Sequence, residues 1–302
     1  MEAARSRQSR RSCGGDLSED NALHTAARRA LLDALDAAAP FRQSLIVVGA
    51  QAIYLRTSDS VLALAPFTTD GDIAIDPSTL PATPALETTL GAAGFTRSNQ
   101  PGSWTKSMVI DERPIDVDVD FLVPEAVAGG SGHRSVQMDG HDRMAARRVY
   151  GLEAALVDHS EMLIAAMEAA DSRAIVVKVA GPAALFIAKI HKIADRVESG
   201  RYQRTPVDKD AADIYRLLQS TTVGVMASGF RAALSKDVSH AVAELALARG
   251  DRLFGRPTAV GVKMAVRAVG VAGEAPETIA ALLAAYTTAL VAETRAFSTG
   301  PK

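Results

Sequence analysis

The spacing of apolar residues changes several times along the chain, and each change marks an element. From Asn21 to about Ala39, Leu23, Ala27, Leu31, Leu32 and Leu35 recur at helical spacing and predict an opening amphipathic helix. Leu45 to Val48 is an unbroken apolar run that reads as a buried strand, followed by a short helix from Ala50 to Leu55 and a second strand at Ile73 to Ile75. Leu86 to Ala93 predicts a helix ended by Gly94, and strand-like pieces follow near Phe95 to Ser98, Trp104 to Ile110 and Ile115 to Val123. In the last piece Ile115, Val117, Val119 and Phe121 alternate with Asp116, Asp118 and Asp120, so one face is apolar and the other is carboxylate.

Gly129 to Gly140 reads as a mobile loop, while Glu161 to Met167 and Ala174 to Val179 read as further strands. Gly181-Pro182 opens a helix to about Val197, with proline at its first turn. Beyond the polar link Glu198 to Pro206 the pattern is helical almost to the end, with Gly and Pro breaks near 249–257 and 270–276. The layout predicted is α/β over residues 21–200 and a helical bundle over 201–302. Residues 1–20 carry Arg5, Arg7, Arg10 and Arg11 with almost nothing to bury, and predict a disordered basic arm.

The 302 residues, 48% hydrophobic and 23% charged, suffice for two cores. A net charge of −2 argues against coating nucleic acid and confines any RNA contact to one basic face. The single cysteine, Cys13, excludes an internal disulfide framework and a cysteine zinc cluster, which fits a reducing compartment. No apolar stretch approaches membrane-spanning length and the start lacks a signal-peptide core, so a cytoplasmic protein is expected.

Against this background Thr68-Thr69-Asp70-Gly71-Asp72 stands out. On a strand, Asp70 and Asp72 point the same way about 6.7 Å apart and can share one cation or bridge two. Gly49, lacking a Cβ, lets a triphosphate approach the amides at the start of the following helix near Ala50. Asp-Gly-Asp by itself also suits a tight turn; the preceding strand and Gly49 favour a site. Asp70, Asp72, Asp116 and Asp118 on neighbouring faces would repel one another unless a cation lay between them, and magnesium is the natural occupant. Asp116 and Asp120 would lie about 13 Å apart, so the row cannot all serve one metal pair; Asp118, in the middle, is the candidate third ligand.

Lys189, Lys192 and Arg196 fall within about 60° of one another on their helix and form a positive stripe. Facing water, that stripe is a solvated surface; facing the acids, it would neutralise a triphosphate and its pyrophosphate leaving group. Asp210 and Asp213, three apart, share a helix face, where they would also complement the dipole at a helix start. His133, His141 and His191 match no zinc motif, and Trp104 is expected to pack.

Three segments carry a family resemblance: Val48-Gly49-Ala50 with Thr68-x-Asp70-x-Asp72; Ala188-Lys189-Ile190-His191-Lys192 leading to Asp195-Arg196; and Lys209-Asp210-Ala211-Ala212-Asp213-Ile214-Tyr215. In this order, over roughly residues 21 to 220, the chain resembles the polymerase-β-type nucleotidyltransferases, and within them the AbiEii/MenT-like toxins of bacterial toxin–antitoxin pairs. The resemblance implies a mixed-sheet nucleotidyltransferase domain with Asp70 and Asp72 on magnesium, Lys189 on nucleotide phosphates and Asp210 completing the active site. Gly49, Ala50, Thr68, Lys192 and Arg196 are the other candidate nucleotide contacts. The chain departs from the family at Ala50, where Gly or Ser is usual, and at Gly71, where an apolar residue separates the acids; neither change removes a metal ligand.

The activity implied is magnesium-dependent transfer of a nucleoside monophosphate from a nucleoside triphosphate to a tRNA 3′ end, blocking aminoacylation, with an antitoxin protein as partner. Transfer to a small aminoglycoside-type molecule or a protein hydroxyl is the alternative, and a non-catalytic binding protein on the same fold is a third. On this reading Lys189 is partnered only when substrate is bound. The stripe would continue through Arg201 and Arg204, joined across the cleft by Arg143, Arg147 and Arg148, to form a track for RNA.

Overall fold

The computed structural model describes residues 17–57, 68–110, 113–130, 134–200, 208–270 and 273–296. Helix α1 (Leu17–Ala37) takes in the end of the segment expected as an arm, while residues 1–16 lie outside the described residues. Its alanines Ala26, Ala27, Ala30 and Ala34 are fully buried beside Leu31 and Leu35, and their small side chains let the helix axis come close to the sheet.

The strands are β1 (Leu45–Val48), β2 (Asp70–Ile75), β3 (Thr96–Arg97), β4 (Ser103–Ile110), β5 (Arg113–Pro124), β6 (Arg147–Val149), β7 (His159–Ala165) and β8 (Ala174–Ala180). They form one mixed sheet in the order β3-β4-β5-β2-β1-β8-β7, with β6 paired to β5. β1 runs antiparallel to β2 and parallel to β8, and β2 runs parallel to β5. Because side chains alternate between faces, Gly71, Ile73, Val117, Val119 and Phe121 share the face that α1 covers. A Cβ at Gly71 would meet Leu31 at 3.5 Å, an ordinary contact, so space does not demand glycine there, and the pairing of β2 with β5 runs regularly through it. Asp70, Asp72, Asp118 and Asp120 fall on the opposite face.

The helices after α1 are α2 (Gly49–Arg56), α3 (Leu86–Ala92), α4 (Pro182–Glu198), α5 (Asp208–Ser220), α6 (Val223–Leu234), α7 (Asp237–Phe254), α8 (Val260–Val269) and α9 (Pro276–Ala296). Gly181 precedes α4, Pro182 opens it, and the Asp158 carboxylate accepts the Ala184 N–H at 2.9 Å, satisfying one of the free amides of that end. α4 then packs on α5, α6 and α7, so the helix that follows the sheet also belongs to the C-terminal helical core, where Phe186 meets Phe230 edge-on. Besides the breaks expected from Gly and Pro, the chain turns after Ser220 and after Leu234. Neither turn carries those residues; Thr222, whose hydroxyl accepts the Val225 N–H, starts α6 instead. Among the described residues no helix is long and apolar enough to cross a membrane.

Candidate active site

The end of β1 and the start of α2 meet β2 at Asp72. Val48 is the direct partner of Asp72 across the antiparallel pair, and the chain then turns into α2 through Gly49 at φ +70°. A Cβ on residue 49 would lie 2.0 Å from Asp72 Oδ2, so only glycine serves, both for its backbone angle and for the space it leaves. The first turn of α2 is thereby held against a carboxylate.

Register decides which acids stand together. Asp70 pairs with Asp118 and Asp72 with Asp120, while Asp116 lies past the paired length of β2. Asp120, not Asp118, is thus the direct neighbour of Asp72, and Asp118 stands beside Asp70. From β4, Thr105 donates to Asp118 at 2.6 Å and Ser107 to Asp116 at 2.5 Å, so this row of acids is matched by a row of hydroxyls. Arg147 pairs with Asp120, and the Thr68 hydroxyl donates to the Asp70 carboxylate. Burial, then the charges of Asp70 and Asp120, push the Asp72 carboxyl up to about 7, with Lys192 and Lys189 opposing. Asp120 is also raised, chiefly by burial, despite Arg147.

The opposite wall is built by α4 and α5. Lys189 Nζ donates to Asp210 Oδ1 and Asp213 Oδ2, each at 2.7 Å; Lys192 and Arg196 each reach Asp210 at 3.1 Å. The Asp210 side chain is fully buried, that of Lys189 nearly so, and that of Lys192 is 44% exposed. Burial alone would lower the Lys189 ammonium, but Asp213 and Asp210 overcome it and hold it above its ordinary value. Asp210 is in turn held well below the usual carboxylate range by Lys189 and Lys192, against the effect of burial. Lys189 is therefore partnered without any substrate, contrary to the expectation from sequence. Its site-facing role is shared with Lys192, whose ammonium is lowered by burial and by Lys189.

Between the walls lies a cleft shared by Ala50, Tyr54, Thr68, Asp70, Asp72, Lys189, Lys192, Lys209 and Asp213. Of the residues expected from sequence, Ala50, Thr68, Asp70, Asp72, Lys189 and Lys192 thus come together; Gly49 backs Asp72, and Asp210 and Arg196 join through ion pairs. Its free space is about 30 Å³, room for water but not for a nucleotide, so binding requires exposed side chains such as those of Lys192 and Lys209 to move. A roomier, shallow groove of about 440 Å³ lies on α8 and α9, lined by Val262, Val266, Pro276 and Ala280, and carries none of these acids.

Of the arginines expected across the cleft, Arg147 and Arg148 are held within the protein, while Arg143 is exposed. Arg147 is tied to Asp120, Arg148 donates to the carbonyls of Ala128, Gly129 and Gly130, and Arg201 and Arg204 lie outside the described residues. His191 bonds to the Val242 carbonyl and His141 to the Leu86 amide, both in structural roles; His133 lies outside the described residues. Trp104 packs, with its indole N–H on the Ala145 carbonyl at 3.0 Å.

Sequence reasoning missed Tyr54, Lys209 and Asp213 as cleft residues. Tyr54 lies four residues after Ala50 on one face of α2, and Lys209 is adjacent to Asp210, so the signal was present as spacing. The Arg216 guanidinium stands 4.7 Å from the Tyr54 ring, His24 meets that ring edge-on, and burial followed by Asp213 pushes the phenol up to about 12.

Among the described residues no group of three or more His, Cys, Asp or Glu side chains is gathered to hold a metal ion. The trio Asp70, Asp72 and Asp118 expected from sequence is accordingly not a preformed ligand set. The pair Asp70 and Asp72 still suits magnesium, which is commonly held by one or two carboxylates and completed by substrate phosphates and water. No family model matches the chain, nor does any curated protein or solved structure.

Proposed function

We propose that the protein is a magnesium-dependent nucleotidyltransferase of the polymerase-β type. The observation that carries this reading is the apposition of two walls: Asp70 and Asp72 against the glycine turn of α2, and the Lys189–Asp210–Lys192 network across the cleft. Repelling carboxylates with one carboxyl raised to about 7 suit a dication, and the basic wall suits an anion. A metal–triphosphate complex presents both.

Magnesium, when bound, would supply charge neutralisation and activation of the acceptor hydroxyl. Asp70 and Asp72 would hold it, with Thr68 orienting Asp70 through its hydroxyl. The amides at the start of α2 would face phosphate oxygens. An acceptor hydroxyl would give up its proton to solvent as its oxygen forms a bond to the α-phosphorus and the bond from the α-phosphorus to the oxygen bridging to the β-phosphate breaks, and the negative charge would leave on pyrophosphate, towards the basic wall of the cleft. Asp210, fully buried, positions Lys189 and Lys192 and does not itself face the reacting atoms.

By the family resemblance the acceptor is a tRNA 3′ end, and the partner an antitoxin protein. A second reading, transfer to a small cationic acceptor of the aminoglycoside type, is favoured by one observation: Asp116 and Asp118 are exposed on the open sheet face next to Asp70. Such a face attracts cations and repels phosphates.

The test is incubation with magnesium and each labelled nucleoside triphosphate, with total RNA in one series and polyamine sugars in another, alongside Asp70→Ala and Asp72→Ala. Label on RNA or on the small acceptor, lost in both variants, is expected. No transfer and no nucleotide binding by the wild-type protein would reject the enzyme reading.

A further inference from the structure

We propose that Lys209 is the cation that holds the outer phosphates of the nucleoside triphosphate, an inference that rests on the nucleotidyltransferase reading. Among the described residues, the neighbouring cations of α4 are already engaged: Lys189 with Asp210 and Asp213, Lys192 and Arg196 with Asp210. Three positive charges are thereby set against two carboxylates, and the charge left over is partly shielded within the protein.

Lys209 differs in two respects. It lines the same cleft as Asp70 and Asp72 and is exposed, yet it makes no hydrogen bond or ion pair with any described residue. Its backbone is not loose. It sits in the first turn of α5, next to Asp210, whose ion pairs fasten that turn to α4. A flexible stem on a fixed base delivers a compact point charge over a range of positions, which suits a phosphate whose bond to the nucleotide will break.

The position along the substrate follows from exposure. The α-phosphate must lie at Asp70 and Asp72, where the acceptor bond forms, whereas the pyrophosphate must leave to solvent. Lys209, cleft-lining and solvent-exposed, suits that departing end. Lys192, tethered to Asp210 at 3.1 Å, stands near enough to Asp72 to lower its carboxyl, on the side of the reacting phosphate.

The experiment is calorimetric titration, with magnesium, of the nucleoside mono-, di- and triphosphate of the base the enzyme uses, on wild type, Lys209→Ala and Lys263→Ala. Lys263 is exposed on α8 and lines the other groove, so its variant makes the same change in net charge away from the cleft. Lys209→Ala should weaken triphosphate binding roughly tenfold or more, as expected for a lost charge-assisted contact. Monophosphate binding and melting temperature should stay at wild-type values, and Lys263→Ala should change nothing. Unchanged triphosphate affinity in Lys209→Ala, an equal loss for the monophosphate, or an equal loss in Lys263→Ala would overturn the assignment while leaving the nucleotidyltransferase reading standing. A wild-type protein that binds none of the three nucleotides would overturn both.

Discussion

Asp72 and Asp120 are direct partners across the parallel β2–β5 pair, so two shielded carboxylates project from the same side of the sheet. Arg147 offsets Asp120 alone, and Asp72 has its nearest relief in Lys192 and Lys189 across the cleft. An electrostatic strain therefore remains between the two carboxylates.

That strain has a pH signature. The Asp72 carboxyl, raised to about 7 from an ordinary 3.8, binds a proton in the native state that the unfolded state has already lost. Between these values the native state holds more protons, so stability falls as pH rises. With magnesium chelated, wild type should lose about 2–4 kcal/mol of unfolding free energy relative to Asp72→Asn between pH 4 and pH 8, after allowance for solvent screening in the cleft. Urea unfolding of both proteins at each pH measures the difference, and a wild type that gains stability over the variant across this interval contradicts the account.

Gly49→Ala tests the other side of Asp72. The added methyl meets a carboxylate oxygen and also requires the backbone to hold a positive φ. A cost of roughly 2 kcal/mol or more is expected, together with loss of nucleotidyl transfer as Asp72 is displaced. Denaturant unfolding and a transfer assay read the two effects, and a variant that matches wild type in both would show that β1, α2 and β2 do not meet as described.

Lys189 and Lys192 should separate cleanly. Lys189→Met leaves Asp210 and Asp213 buried with one cation fewer, and should destabilise by about 3–5 kcal/mol. Lys192→Ala removes a half-exposed partner of Asp210 and should cost no more than about 1 kcal/mol while weakening triphosphate binding. Equal stability losses in the two variants would mean that the buried network is not organised around Lys189.

The acidic row on β5 distinguishes the acceptors. Replacing Asp116 and Asp118 together by Asn removes two exposed negative charges near the cleft without touching the apolar face. Transfer to RNA should then rise, most at low salt where the repulsion is least screened, whereas transfer to a polycationic small acceptor should fall several-fold. Rates on both acceptors at low and at 200 mM salt decide between them; indifference on both would place the acceptor elsewhere.

Local patterns in the sequence were enough for most of the elements, though not for the three-residue strand β6, which shows no alternation of its own. The apolar run Leu45–Val48, the alternation from Ile115 to Phe121 and the Gly181-Pro182 helix start are written in neighbouring residues, and each reappears as β1, β5 or α4. The turns after Ser220 and Leu234 escaped because no Gly or Pro marks them. Among the candidate site residues, Asp70 and Asp72 were legible because their relation is two positions along one strand.

Register and ion pairing were not legible. Whether Asp118 or Asp120 stands beside Asp72 depends on a two-residue slide of β2 along β5, which keeps the same side chains facing α1 and so leaves no mark in the alternation. Whether Lys189 is free or locked depends on α5 folding back to bring Asp210 and Asp213 within 2.7 Å of it. Both are outcomes of packing between segments far apart in the chain, and no spacing within either segment encodes them.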